Sequence, residues 1–152
     1  MASISGDDID ILTKAKRALD RDYAPSETEE YMSEQQLNYF RVLLLEWKKS
    51  ILTASEGTLQ LLQDGPIREP DLTDRASSET DWGIELRTRD RQRKLIAKID
   101  AALRRIDEGE YGWCEVTGEP IGIHRLIARP IATMTVEAQQ AHERREKISR
   151  DD

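Results

Sequence analysis

The residues able to do chemistry in this chain are sorted by charge along its length. Between Asp64 and Asp81 lie Asp64, Glu69, Asp71, Asp74, Glu79 and Asp81 against only Arg68 and Arg75, a net charge of −4. Between Glu85 and Arg105 eight bases face three acids, a net of +5. Three acids of this region and its neighbourhood have simple helical partners. Glu85–Arg89, Asp90–Lys94 and Asp100–Arg104 each place the acid four residues before the base, the favourable order, at about 0.2–0.5 kcal/mol per pair. Arg87, Arg91, Lys98 and Arg105 have no acid four positions away on either side. They recur at steps of 4, 7 and 7 and so share one helical face. That row reads either as a solvated face or as a docking surface for an anionic partner, acidic protein or phosphate. The acids divide in the same way. Asp71 suits a helix N-cap and Asp74 the first turn of a helix, where the backbone dipole favours negative charge. Neither reading uses Glu69, Glu79 and Asp81.

Several functions are excluded by what is missing. There is no complete nucleophile–base–acid triad, no glycine-rich phosphate loop and no cluster of metal ligands, and the only histidines are His124 and His142. An enzyme is not expected. The single cysteine, Cys114, permits no disulfide within the chain. A formal charge of −7 and a basic region confined to one narrow row argue against direct sequence-specific DNA binding. No apolar run approaches the roughly 20 residues that span a bilayer, and the first residues lack the basic and apolar regions of a signal peptide, so a cytoplasmic protein without a membrane role is expected.

The elements that must carry these charges are long helices. With 38% hydrophobic and 35% charged residues in 152, the chain is too polar for one round globule and suits exposed helices. Ile9, Ile11, Leu12, Ala15 and Leu19 predict a short amphipathic helix at 8–19, capped by Asp8, and a polar connector; a loosely ordered tail is the alternative. Ser33 and Gln36 stand at capping-box spacing, with Met32 and Leu37 placed as a hydrophobic staple. Phe40, Leu44, Trp47, Ile51 and Ala54 then follow a heptad seam that lapses at Thr58 and resumes at Leu61 and Leu62 before Asp64-Gly65-Pro66 stops the helix. A second helix is predicted from Asp71 or Thr73, with Leu95, Ile99, Ala102 and Ile106 as its seam, to about Gly109. Two such helices joined by a short turn run antiparallel, a rod on the order of 45 Å for about 30 residues. Residues 110–134, with three glycines among short β-branched pieces, predict a β-hairpin-like knuckle, and 136–147 a polar helix. The expected fold is all-α dominated: a long antiparallel coiled-coil hairpin, a small globular knuckle and a C-terminal helix. The expected division is 1–32 (helix and connector), 33–108 (coiled coil with its tip near 64–76) and 109–152 (knuckle and last helix).

Three stretches together resemble the DksA/TraR family. These are Pro70-Asp71-Leu-Thr-Asp74-Arg75-Ala76, Glu85-Leu-Arg87-Thr-Arg89-Asp-Arg91-Gln-Arg93-Lys94-Leu-Ile, and Ile121-Gly-Ile-His-Arg125-Leu-Ile-Ala-Arg129-Pro130. Glu30-Tyr-Met-Ser-Glu-Gln-Gln-Leu is similar to that family's entry into its coiled coil, and the likeness runs over about 29–150. The resemblance implies a non-enzymatic transcription regulator that binds bacterial RNA polymerase through the secondary channel and modulates initiation. It implies that Asp71, Asp74 and Ala76 form the tip acting near the polymerase active centre, and that Arg87 and Arg91 contact the channel rim. Thr88 stands where the family commonly has Asn. It further implies that the alarmone ppGpp binds at Leu95, Lys98 and Arg129, in keeping with the stringent response; a further basic position of that site is Gln139 here.

The family knuckle also implies four cysteines holding zinc. The matching positions are Cys114, Thr117, Thr135 and Ala138, which leave one thiol, two hydroxyls and a methyl, and these cannot close a tetrahedral zinc site. The expectation is therefore a zinc-free, zinc-finger-like knuckle with no required cofactor. Its apolar core is expected from Trp113, Val116, Pro120, Ile121, Ile123, Leu126, Ile131 and Met134, with Cys114 a structural residue. A monomer is expected. The alternatives are a Gre-like transcript-cleavage and elongation factor, which also presents acids on a coiled-coil tip, and a self-associating coiled-coil scaffold.

Overall fold

The structure is a computed structural model; it describes residues 4–64 and 72–151, with side chains of 4–55 and 79–150. Five helices are described: α1 (Gly6–Ala18), α2 (Glu34–Asp64), α3 (Leu72–Glu108), α4 (Ile123–Ala128) and α5 (Val136–Asp151). No β-sheet forms among the described residues; the knuckle contains one antiparallel bridge, Trp113 with Pro120. The hairpin-like pattern of 110–123 is therefore expressed as successive tight turns, because each β-branched piece is too short to build a ladder.

α2 and α3 pack against each other and run antiparallel. Arg41 pairs with Asp107 at 3.0 Å, Lys48 with Asp100 at 2.8 Å, and Ser55 Oγ lies 2.9 Å from Gln92 Oε1. Partners thus recede along α3 as they advance along α2. Phe40, Leu44 and Ile51 are buried on α2, and Ile99, Ala102 and Ile106 on α3. The expected seam is corrected at its far end: Ala54 is exposed and Ser55 is buried. An α-helix turns every 3.6 residues, so the buried stripe drifts off a strict heptad.

The start of α2 is set by Gln36, which is fully buried. Its N–H donates to Ser33 Oγ at 3.3 Å, and its side-chain oxygen accepts from Met32 N at 2.7 Å rather than from Ser33. Its amide nitrogen donates to Ser26 O at 3.2 Å and to Glu29 Oε2 at 3.1 Å. The connector before α2 is thereby tied down.

α1 lies on α2 through buried Leu12 and Ala15. Ser5, and not Asp8, caps it, accepting from Asp8 N at 3.1 Å. Asp8 instead reaches Lys48 at 2.8 Å, and Lys48 also holds Asp100, so one ammonium links α1, α2 and α3. Burial lowers the Lys48 pKa, but the two carboxylates outweigh it and leave the amine above its ordinary value. Asp100 is thus taken across the hairpin, not by Arg104 as the local spacing predicts.

The knuckle packs under the base of the hairpin. Its core corrects the sequence expectation. Ile121, Ile123 and Leu126 are buried as expected, while Trp113, Val116 and Pro120 are exposed. Tyr111, Cys114 and Ala132 take the interior places. Tyr111 is 1% exposed, stacks obliquely on Phe40 at 5.5 Å and donates to Pro130 O at 2.7 Å. Arg105, placed by spacing on the free basic row, is an internal strut. It donates to Glu110 O at 3.2 Å and Trp113 O at 2.9 Å, closing α3 onto the knuckle.

Candidate functional site

Three places carry the sequence-predicted residues. Of the first, the hairpin tip, Asp71 lies outside the described residues; Asp74 and Ala76 fall within the first turns of α3, and their side chains lie outside those described.

The second is the outer face of α3. Arg87 and Arg91 are exposed, one helical turn apart, and border an open groove of about 600 Å³ with Ile84, Leu86, Thr88 and Lys94. Ile84 and Leu86 are 46% and 45% exposed. Apolar surface beside cations is a combination suited to a protein partner more than to nucleic acid. Asp90 lines the same groove and takes both Lys94 at 3.1 Å and Arg93 at 3.0 Å, and these cations hold its carboxyl below its ordinary value. Asp90 thus engages two neighbours and leaves Arg87 and Arg91 without a carboxylate among the described residues.

The third lies where α3, α4 and α5 meet. Lys98 from α3, Arg129 from the end of α4 and Gln139 from α5 line one cavity of about 310 Å³. Leu95, grouped with them by the sequence, does not line it and packs, half-buried, against the core. Arg125 and His142 line it as well, and sequence reasoning missed both. Arg125 stands four residues before Arg129, the spacing of one helical face, but 110–134 reads in the sequence as a β-hairpin-like knuckle, so that spacing gives no signal without α4. Lysine and arginine converging on a half-open cavity suit phosphate groups.

The knuckle itself is built around a single sulfur. Cys114 is 3% exposed. Burial raises its pKa, yet the Thr117 hydroxyl and the backbone N–H groups of Thr117, Thr135 and Val116 more than offset this, lowering the thiol to about 7. The structure thus brings Cys114, Thr117 and Thr135 together, and Ala138 joins them through its N–H, which donates to Thr135 Oγ1 at 3.1 Å. The lowered thiol has no counterpart in the sequence reading, because its causes are the Thr117 hydroxyl and backbone N–H groups and not basic neighbours. Zinc does not fit this set: one thiol and two hydroxyls are too few soft ligands, and no group of three metal-ligating side chains occurs among the described residues.

Other bonds do the work of closure. Tyr31 crosses from the connector, donates to Gly112 O at 2.6 Å and accepts from Gly122 N at 2.9 Å. Its ring meets Trp113 edge-on at 5.2 Å. Gly112 has φ +92°, a backbone conformation that favours glycine, and the Met32 side chain packs where a Cβ would stand, 2.5 Å from its Sδ.

The chain resembles known proteins over both its hairpin and its knuckle. Residues 36–106 match the family described as DnaK suppressor protein DksA, N-terminal domain, and residues 109–144 the prokaryotic dksA/traR C4-type zinc finger. The chain is 62% identical to the RNA polymerase-binding transcription factor DksA of Caulobacter vibrioides (strain NA1000 / CB15N), over 86% of this chain and 92% of that protein. It is 41% identical to the protein of the same name from Escherichia coli (strain K12), over 82% of this chain and 83% of that one. The solved structure of transcription factor DksA2 from Pseudomonas aeruginosa superposes with a TM-score of 0.70 at 39% identity, covering 90% of this chain and 98% of that one.

Proposed function

The chain belongs to the DksA family, and from that premise we propose that it is a transcription regulator that binds bacterial RNA polymerase. The observation that carries this is the match at 62% identity over 86% of the chain to an RNA polymerase-binding factor. The α2–α3 hairpin enters the secondary channel, the exposed Arg87 and Arg91 engage its rim, and Asp71, Asp74 and Ala76 act at the active centre. A small acidic probe there perturbs a site organised around metal ions. The protein makes or breaks no covalent bond itself, and its place of action is the cytoplasm. The cavity of Lys98 and Arg129 takes ppGpp, whose phosphates are met by two permanent cations, one from α3 and one from the end of α4.

The test is to add the protein to backtracked elongation complexes and, separately, to initiating polymerase. The expected result is altered initiation with no cleavage of the backtracked transcript. Cleavage would assign the tip acids to a metal-holding, Gre-like role, and dimerisation through the hairpin with no effect on polymerase would favour a scaffold.

The knuckle works without zinc in this reading. Elemental analysis of the purified protein should find zinc well below one equivalent, and EDTA should leave the melting temperature unchanged, because no metal-binding energy is coupled to folding. Tyr31→Phe should lower it instead. The change leaves the Gly122 N–H without its acceptor and costs about 1–3 kcal/mol, a shift of about 2–4 °C per kcal/mol for a chain of this size. Stoichiometric zinc, or collapse of helicity in EDTA, would overturn the zinc-free reading.

A further inference from the structure

A groove runs along one flank of the hairpin, and α1 fills only its lower half. On α2, Asn38, Leu45 and Leu52 recur every seven residues, and on α3 Asp107, Asp100 and Arg93 do the same. α1 lies on the first part of these rows. Ile11, Lys14 and Ala15 border Asn38, Arg41 and Asp107, and Asp8 at the leading end of α1 meets Lys48, which holds Asp100. Leu12, Ala15 and Leu45 are buried there, apart from the main core. Along this part the α3 row is acidic, and bases of α2 take it up, Arg41 with Asp107 and Lys48 with Asp100. One turn past Lys48, about 6 Å nearer the tip, the groove continues as an open cavity of about 220 Å³ lined by Leu52, Ser55, Arg89, Arg93 and Ile96. The α3 row is now basic, and α2 opposes it with Leu52 and Ser55 instead of acids. Asp90 takes Arg93 at 3.0 Å from its own helix, yet the Arg93 side chain stays 80% exposed. The lower half of the groove holds a helix, and the upper half carries none among the described residues.

We infer that this upper half is a second docking face of the hairpin, which takes an acidic amphipathic segment of RNA polymerase in line with α1. The inference rests on the reading of the chain as a polymerase-binding factor. The lining selects the occupant's chemistry. Leu52 and Ile96 suit apolar side chains, and the two guanidinium groups beside them suit carboxylates, which they can meet in bidentate pairs. A phosphate backbone would make no use of Leu52 and Ile96. α1 shows what kind of segment the groove holds: its buried residues are Leu12 and Ala15, and its first turn carries Asp7 and Asp8. An amphipathic segment laid into an apolar groove is a general mode of recognition. Position selects the polymerase as its source. Arg89 and Arg93 stand about 200° round α3 from Arg87 and Arg91, so the two pairs face opposite ways. A hairpin inside a channel has walls on both sides, and Arg87 and Arg91 meet only one of them.

The experiment measures the affinity of the full chain for RNA polymerase by competition. It then maps the contact with p-benzoylphenylalanine, a photocrosslinking residue, in place of Leu52. Arg89→Glu and Arg93→Glu should each raise Kd about tenfold, the effect of losing one charge-assisted pair, and Arg93→Lys should lose much less. The crosslink from position 52 should fall on a polymerase segment rich in Asp and Glu, different from the segment reached when the same residue replaces Thr88. If Arg87→Glu weakens binding while Arg89→Glu and Arg93→Glu leave it unchanged, the polymerase reading stands and the second face is overturned. If none of the three weakens binding, docking through the shaft is overturned as a whole. A crosslink from position 52 to a second copy of the chain or to nucleic acid, or no crosslink at all, would overturn the choice of occupant. Losses in Arg89→Glu and Arg93→Glu that come with a lowered melting temperature, and that Arg93→Lys does not avoid, would make these arginines residues of the fold and overturn the inference too.

Discussion

Asp74→Asn is expected to abolish regulation of initiation while leaving affinity for RNA polymerase nearly intact. The substitution keeps the size and hydrogen-bonding reach of the side chain and removes one negative charge. In the proposed account the tip does not hold the protein on the polymerase. In that account binding is spread over the exposed face of α3, where Arg87 and Arg91 form no ion pair among the described residues and lie beside exposed Ile84 and Leu86. The tip charge acts on metal ions and mobile elements at the active centre, where a carboxylate and an amide differ most. A loss of activity of about tenfold or more corresponds to ~1.4 kcal/mol of electrostatic interaction at that point. Binding measured by competition and activity measured by abortive initiation on one preparation check the two halves of the claim. If affinity falls as far as activity, the tip is an affinity element.

Lys98→Ala is expected to remove the increment that ppGpp adds to regulation. Lys98 projects from α3 into the cavity that Arg129 closes from α4, and it has no ion-pair partner among the described residues. It is therefore available to a phosphate at no cost in an existing bridge. Removing one charge-assisted contact from a small ligand costs about tenfold in affinity. The ratio of activity with and without ppGpp, followed over a range of nucleotide concentrations, checks it. An unchanged ratio at every concentration would refute the placement of ppGpp at this cavity.

How much of this was legible before the fold depended on whether a feature was local. The helices were legible because apolar spacing, Ser33 with Gln36, and Gly109 after the last turn are written in neighbouring residues. The antiparallel pairing followed from the short connection between α2 and α3. Features set by distant contacts were not legible. Asp100 looked committed to Arg104, yet Lys48 reaches it across the hairpin and also takes Asp8. Arg105 belonged by spacing to the basic row, yet carbonyls of the knuckle hold it. Trp113, as the largest apolar residue of the knuckle, was expected inside, and it is 38% exposed because Tyr111 fills the interior.

The same distinction divides the candidate sites. Lys98 and Arg129 are 31 positions apart in the sequence, and only resemblance joined them; the fold places both on one cavity. It separates Leu95 from that lining and adds Arg125 and His142, which nothing in the linear order connects to Lys98. The lowered thiol of Cys114 was invisible for a similar reason. Its causes are one hydroxyl and three backbone N–H groups from both ends of the knuckle, and backbone donors leave no trace in residue types.

The account stands most directly on transcription in a purified polymerase system, with and without ppGpp, comparing the wild-type chain with Asp74→Asn at equal occupancy. It predicts regulation by the wild type that ppGpp strengthens, and none by Asp74→Asn in either condition. Equal regulation by the two proteins at equal occupancy would contradict it.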